Sequence, residues 1–342
     1  MNKNSKDIIK YLAKKTLNIF HYHKDSCKKD IFIFSSFRSG STWLAELIKS
    51  QAGIKFPISP NKIEFLPNID DYYKQIKKRP YYLNLSEKEK EIIKNYIINT
   101  SSGKLIYGRR YVDIFSRNHS FISERSIFRL LRSNYLINWF NSNFDIQSIY
   151  LFRHPIAASL SRKKIWEKSK NPDYWSSNSR YFLNSSFFSN NFLNSQEKAY
   201  LEKKLENAGI LEDFIISWAL ENIAQIRKIQ SNNLQKNTIF LSYEDLLINP
   251  LKVIDYLMNC LNLTNRKKLL KKLEVPSSTV NYSDHKTKDK FAVQEYDPEY
   301  LLTKWKNQIT EEEEKEIFEI LNRLGIEIYK FDEFMPISKF LI

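Results

Sequence analysis

The stretch from Ile31 to Ile48 constrains this chain more than any other. Ile31-Phe32-Ile33-Phe34 is a short apolar run, Ser35-Ser36-Phe37-Arg38-Ser39-Gly40-Ser41-Thr42-Trp43 reads as a tight turn, and Leu44, Leu47 and Ile48 then share one helical face. Three further apolar runs have the length of buried strands: Ile127 to Leu131, Ser148 to Phe152, and Thr238 to Leu241. Helical patterns lie among them, in Leu211, Phe214, Ile215, Trp218 and Ala219, in Ile254, Leu257, Met258 and Leu261, and in Ile317, Ile320, Leu321 and Leu324. Strands alternating with helices predict an α/β fold, a parallel sheet flanked by helices on both faces. Ligands of such sheets bind beyond the carboxyl ends of the strands, so the residues after each run are where a site is expected.

The turn after the first run has anion-binding chemistry. Backbone N–H groups of a strand–turn–helix junction converge on an anion, the helix dipole adds to the attraction, and the hydroxyls of Ser39, Ser41 and Thr42 are further donors. A nucleotide triphosphatase loop requires Lys directly after its second Gly; here the cation, Arg38, precedes Gly40, which disfavours ATP hydrolysis. A second junction follows Ser148 to Phe152 as Arg153-His154-Pro155, and Ser161 lies about two helical turns further on. Arg153 and Ser161 are expected to converge on a second phosphate, with Ser159 a competitor for the serine role. Two anion sites side by side point to a ligand phosphorylated at two places.

Composition narrows the partners. With 54 Lys and Arg against 39 Asp and Glu, the formal charge of +15 suits an anionic partner, but the lysines are spread along the chain rather than gathered in a block, so nucleic acid is not expected. No apolar run approaches the roughly 18 residues of a membrane span. Cys27 and Cys260 are too few for a disulfide framework and have no metal-ligand spacing, which favours a cytoplasmic protein without structural metal. Residues 1–29 read as a basic extension: Ile8, Ile9, Leu12, Ala13 and Leu17 lie near one helical face with lysines around it, a pattern that packs on its own domain or touches an anionic membrane surface at the inner face of the membrane. Residues 30–335 read as one domain and 336–342 as a tail. Within the domain, residues 163–206 are rich in Asn, Ser and aromatics and read as an insertion or lid, either a sugar-stacking surface or a small hydrophobic cap.

The R-S-G-S-T-W sequence at Arg38 to Trp43, together with the R-x₇-S pattern from Arg153 to Ser161, resembles the sulfotransferases that use 3′-phosphoadenosine-5′-phosphosulfate (PAPS). Phe128-Arg129-Leu130-Leu131-Arg132, Trp218 with Asn222, Tyr243-Glu244-Asp245-Leu246 followed by Asn249-Pro250, Ser277-Ser278, and Trp305-Lys306-Asn307 with Thr310 match in register, so the likeness runs from about residue 30 to 325. The resemblance implies the P-loop nucleotide-kinase-like sulfotransferase fold. It also implies that Arg38, with Ser39, Gly40, Ser41 and Thr42, binds the 5′-phosphosulfate, that Trp43 stacks on the adenine, that Arg153 and Ser161 bind the 3′-phosphate, and that Tyr243 and Ser277 contact the purine. His154 is expected to be structural or solvent-facing. Glu244 and Asp245, adjacent on one motif, do not suggest a glycosidase pair.

Departures from the pattern bear on the acceptor. The cytosolic branch carries a Lys-Thr-His run whose His acts as base; here Arg132-Ser133-Asn134 stands in its place, Arg132 replacing the Lys, and Asn134 accepts no proton at neutral pH. Glycosaminoglycan sulfotransferases use instead a Glu some two dozen residues after the phosphate loop, which makes Glu64 the expected base, with Glu46 next. The cytosolic R-K-G triplet is replaced by Pro298-Glu299-Tyr300, so that either Lys286, Lys288 and Lys290 of the preceding loop substitute for it or the contact is absent. The expected activity is sulfuryl transfer from PAPS to a hydroxyl of a saccharide, polysaccharide or glycolipid. A P-loop small-molecule kinase and a non-catalytic polyanion or nucleic-acid binder on the same fold are the alternatives.

Overall fold

The computed structural model describes residues 22–55, 82–102, 122–131, 133–169, 173, 176–233, 237–275 and 297–337. The described residues form seven strands and thirteen α-helices. The strands are β1 (Tyr22–His23), β2 (Asp30–Ser35), β3 (Ile54–Lys55), β4 (Ile122–Ser123), β5 (Arg125–Leu130), β6 (Ile146–Phe152) and β7 (Thr238–Ser242). The helices are α1 (Ser41–Lys49), α2 (Glu87–Ser101), α3 (Ile137–Asn143), α4 (Pro155–Lys168), α5 (Ser179–Leu183), α6 (Ser186–Phe192) and α7 (Ser195–Glu206). After them come α8 (Ile210–Gln230), α9 (Tyr243–Ile248), α10 (Pro250–Leu261), α11 (Arg266–Leu273), α12 (Pro298–Thr303) and α13 (Glu311–Arg323).

The four apolar runs become β2, β5, β6 and β7, and with β3 they form a parallel sheet of order β3-β5-β2-β6-β7. Register pairs Ile33 with both Arg129 and Ile149, and Tyr150 with Phe240. Because side chains alternate along a strand, this register sorts the core into two layers. Phe32, Phe34, Phe128, Leu130, Tyr150, Phe152 and Phe240 face one side, where they meet buried residues of α3, α4, α8 and α13. Ile31, Ile33, Ile127, Ile149, Leu151, Ile239 and Leu241 face the other, against α1, α10 and α11. Among their apolar residues, the strands give mostly aromatics to one layer and only Ile and Leu to the other. Full burial of each such side chain is worth about 1.5–3 kcal/mol, so a slip of one residue in register would forfeit many of these together.

β2 is the middle strand. The chain leaves it toward the β3–β5 edge and leaves β6 toward β7, so the connections diverge between β2 and β6 and open a crevice at their carboxyl ends. Helix starts are locally encoded: α2, α7 and α13 carry capping boxes (Ser86 with Glu89, Asn194 with Glu197, Thr310 with Glu313), and α4 opens on Pro155.

The segment from 163 to 206 supplies the end of α4 and then α5, α6 and α7. Two of its described aromatics, Phe182 and Phe188, are fully buried as core, and Tyr135 meets the rings of Phe182, Phe188 and Phe192 with centroids 6.0, 5.4 and 4.7 Å away, while Phe187 is exposed. Composition alone does not separate these two outcomes, since either needs aromatics among polar turns. No helix among the described residues is long and apolar enough to cross a membrane. The segment 1–21, with the basic helical face, lies outside the described residues.

Candidate active site

The loop between β2 and α1 contains two residues in the left-handed region, Arg38 at φ 66° and Gly40 at φ 87°. Left-handed residues leading into a helix start make an anion-binding nest. Arg38, which carries a Cβ, is an exception to the usual preference for glycine there, at roughly 1–2 kcal/mol of local strain. Gly40 has no alternative: a Cβ on it would stand 2.7 Å from Tyr243 Cε2. Inside the loop the hydroxyls of Ser36 and Ser39, both fully buried, are 2.8 Å apart. The Ser39 hydroxyl thus braces the loop, which leaves its backbone N–H as the group for an anion.

The second motif closes on the first. Arg38 Nε donates to Ser161 Oγ at 3.0 Å, and Arg153 Nη1 donates to the Arg38 carbonyl at 3.2 Å. Ser159 instead donates to the Phe214 carbonyl inside the protein, so Ser161 is the serine that reaches the crevice side of α4. The Arg153 guanidinium lies 4.5 Å over the Tyr243 ring, whose edge relation to Trp43 has centroids 5.9 Å apart at 64°. Arg38, Gly40, Trp43, Arg153, Ser161 and Tyr243 therefore form one contiguous group built from β2, β6, β7 and the helices that follow them. Burial, and after it the repulsion of Arg153, lowers the Arg38 guanidinium to about 10, so it remains charged at neutral pH. The Nε of Arg153 is buried without a hydrogen-bond partner among the described residues. Two guanidiniums drawn together, one with an orphaned donor, fit a dianionic ligand: the field that an anion would relieve is already present. Among the described residues no group of three His, Cys, Asp or Glu side chains is arranged to hold a metal ion.

What holds Arg153 in place is an inner brace of buried groups. Glu244 accepts from the His154 backbone N–H at 2.9 Å and from the Tyr329 hydroxyl at 2.8 Å. Burial raises its carboxyl to about 7. His154 is buried against Trp305, with centroids 4.5 Å apart and planes within 14°. Burial first, then the charge of Arg153, lowers its imidazole to about 3, which leaves it neutral and structural. On α4, Arg162 pairs with Glu221 of α8 at 2.7 Å, with side chains only 4 % and 1 % exposed. Ser217 and Asn178 donate to the same Glu221 oxygen at 3.1 Å each, and the Arg162 guanidinium lies 4.9 Å from the Phe37 ring, beneath the phosphate loop. Arg129, on the α1 face of β5, donates to Thr42 Oγ1 at 2.8 Å and supports the loop from the other side.

Trp43 is 6 % exposed, packs in the second core layer and donates its indole N–H to the Val275 carbonyl at 3.1 Å. Asn134 is buried, donates to the Glu221 carbonyl at 3.1 Å and accepts at its own carbonyl from Gln225 at 2.8 Å. Glu46 is held by Lys272 at 3.2 Å. Glu64, Arg132, Ser277, Lys286, Lys288 and Lys290 lie outside the described residues. The supporting residues Arg129, Glu221, Glu244, Trp305 and Tyr329 carried no catalytic signal in the sequence. Arg129, Glu244 and Trp305 stood in the motifs matched in register, and the alternation of β5 sets Arg129 on the same face as Ile127.

A five-stranded parallel sheet with a phosphate-type loop after its middle strand defines a P-loop-like nucleotide-binding architecture. The profile of the sulfotransferase domain family matches residues 28–328, and the chain belongs to that family, an enzyme family whose sulfuryl donor is PAPS. No curated protein matches the chain significantly. Among solved structures, the sulfotransferase domain of the Synechococcus PCC 7002 olefin synthase aligns at 18 % identity over 84 % of this chain and 92 % of that one, with a TM-score of 0.41. Mouse sulfotransferase SULT7A1, complexed with PAP, aligns at 18 % identity over 91 % and 88 %, also at 0.41. The sulfotransferase domain from the curacin biosynthetic pathway aligns at 16 % identity over 89 % and 99 %, again at 0.41.

Proposed function

We propose that this sulfotransferase moves the sulfuryl group of PAPS to a hydroxyl of a saccharide, polysaccharide or glycolipid by in-line displacement. The observation that carries the reading is the closure of the two phosphate motifs on each other, through Arg38 on Ser161 and Arg153 on the Arg38 carbonyl. PAPS supplies the sulfuryl group and a phosphate leaving group. The backbone of Ser39 to Thr42 holds the 5′-phosphosulfate, and Arg38 places positive charge where the leaving oxygen gains negative charge. Arg153 and Ser161 hold the 3′-phosphate, and Trp43, Tyr243 and Ser277 border the purine. For the transfer, Glu64 would take the acceptor proton while the sulfur–oxygen bond to the acceptor replaces that to the phosphate, and Arg132 would take the role of the family's Lys.

The acceptor class is favoured by two features of the chain: Asn134 in place of a histidine base, and a net charge of +15 that attracts acidic glycans. A cytoplasmic location and contact of the basic N-terminus with a membrane surface belong to the same proposal. The test is transfer of labelled sulfur from PAPS to a panel holding an acidic polysaccharide, a neutral oligosaccharide, a glycolipid and a simple phenol. Label on a saccharide hydroxyl, lost by at least about a hundredfold in Arg38→Ala and lowered in Glu64→Gln at unchanged donor affinity, is the expected result. Label on the phenol alone overturns the acceptor class, and normal turnover of Glu64→Gln overturns the base.

A further inference from the structure

Helix α4 meets the phosphate loop at two consecutive residues on each side. Ser161 Oγ accepts from Arg38 Nε at 3.0 Å, and the guanidinium of the next residue, Arg162, lies over the ring of Phe37, the residue before Arg38, 4.9 Å from its centroid. Phe37 is buried and belongs to the aromatic side of the core. Between these two contacts the Arg38 backbone stands at φ 66°, a left-handed conformation that a residue with a Cβ keeps only where its surroundings over-determine it. Ser161 is placed by the backbone of a 14-residue helix, whereas Phe37 sits in a loop and depends on what packs against it.

The Arg162 head group is itself held from several directions. Its Nη1 donates to Glu221 Oε1 at 2.7 Å and to Ser217 Oγ at 3.4 Å, its Nη2 donates to the Ser176 carbonyl, and its other aromatic neighbour is the ring of Phe214 at 5.4 Å. The Asn178 backbone N–H donates to Ser217 Oγ at 3.0 Å and ties the start of the 176–178 segment into the same knot. With its charge matched by Glu221, Arg162 has none to offer a nucleotide phosphate; what it presents to the loop is a fixed, planar surface for the Phe37 ring. A buried ion pair adds little stability over apolar packing of the same volume, so stability alone does not account for one at this place. A lysine keeps the charge beside Glu221, but its rotating ammonium cannot cover the ring and reach the Ser176 carbonyl in one rigid plane.

We propose that Arg162, locked by Glu221, is a positioning residue: through the Phe37 ring it holds Arg38 in the conformation that meets the 5′-phosphate end of the donor. This rests on the proposed assignment of the loop to the 5′-phosphosulfate. Calorimetric titration with adenosine 3′,5′-bisphosphate and with 3′-AMP tests it in wild type, Arg162→Lys, Phe37→Leu, Phe214→Leu, Arg38→Ala and the double variant Arg162→Lys/Arg38→Ala. Arg162→Lys spares the ion pair, so the chain still folds, and it should weaken the bisphosphate about tenfold, the order of one desolvated cation–π contact. Phe37→Leu should do the same, and both should change 3′-AMP, which has no 5′-phosphate, less than twofold. Phe214→Leu removes the aromatic neighbour remote from the loop and should change neither nucleotide more than twofold. On the Arg38→Ala background Arg162→Lys should cost less than a further twofold, because the group it positions is gone. Unchanged bisphosphate affinity in Arg162→Lys or in Phe37→Leu, an equal loss for both nucleotides, or an undiminished loss on the Arg38→Ala background overturns the inference. If Arg38→Ala weakens the bisphosphate and Arg162→Lys does not, Arg162 alone is refuted. If Arg38→Ala leaves the bisphosphate bound as in wild type, the loop assignment falls and the inference with it.

Discussion

Replacing Gly40 by Ala probes the cradle at its tightest point. An alanine at φ 87° is strained by roughly 1–2 kcal/mol whatever surrounds it. Its Cβ would also stand 2.7 Å from Tyr243 Cε2, where ordinary contact begins at 3.4 Å, so the ring has to retreat. Retreat is opposed on two sides, by the Arg153 guanidinium 4.5 Å over the ring and by the edge of Trp43. Overpacking of this kind adds about 1–3 kcal/mol, for a total of about 2–5 kcal/mol, and it displaces Arg153 in the process. Chemical denaturation should report that loss, and calorimetry should find adenosine 3′,5′-bisphosphate bound at least about tenfold more weakly. The same substitution made on a Tyr243→Ala background should lose only the backbone share, about 1–2 kcal/mol, because the ring is gone. An equal penalty in both backgrounds, or none in either, refutes the close approach of loop and ring.

Two further outcomes follow from the brace around Arg153. The Glu244 carboxyl is raised from 4.5 to about 7, so the folded state binds its proton more tightly than the unfolded one; stability from this group is full below pH 4.5 and is lost as pH rises through about 7. Glu244→Gln should remove that slope, a change on the order of 3 kcal/mol across the window, and denaturation midpoints that track wild type from pH 4.5 to 7 would contradict it. Removing one member of the buried Arg162–Glu221 pair should destabilise the fold by about 3–5 kcal/mol, since the partner is left charged and unpaired; a change below about 1 kcal/mol in Arg162→Met, read by urea unfolding, would show that the pair is not buried.

How much was legible in the sequence depended on the range of the interaction. β2, β5, β6 and β7 fall on the four apolar runs because strands covered on both faces need continuous apolar residues. β3 is only two residues long, too short to leave a pattern, and α2 buries few of its residues amid Glu and Lys. In the site, Ser161 was separable from Ser159 by spacing, and Arg38 by its place before Gly40. The brace was not legible: Arg162 meets Glu221 59 residues away, Glu244 meets Tyr329 85 away, and Arg129 meets Thr42 87 away. Only sheet register and helix packing bring such pairs together, and neither is written in local periodicity. The aromatic segment at 163–206 was ambiguous for a different reason, since a cap and a stacking face require the same residues and differ only in which way they turn. Glu64, Arg132 and Ser277 lie outside the described residues and rest on the sequence alone.

In the proposed function, the loop after β2 and the Arg153 motif after β6 together form a site for a nucleotide phosphorylated at both 3′ and 5′. Calorimetric titration of the wild-type protein with adenosine 3′,5′-bisphosphate, 5′-AMP and ATP with Mg²⁺, repeated in Arg153→Ala, tests it most directly. Selective binding of the bisphosphate, abolished or nearly so in the variant, is the expected result. Equal affinity for all three nucleotides, or bisphosphate binding untouched by Arg153→Ala, would contradict it.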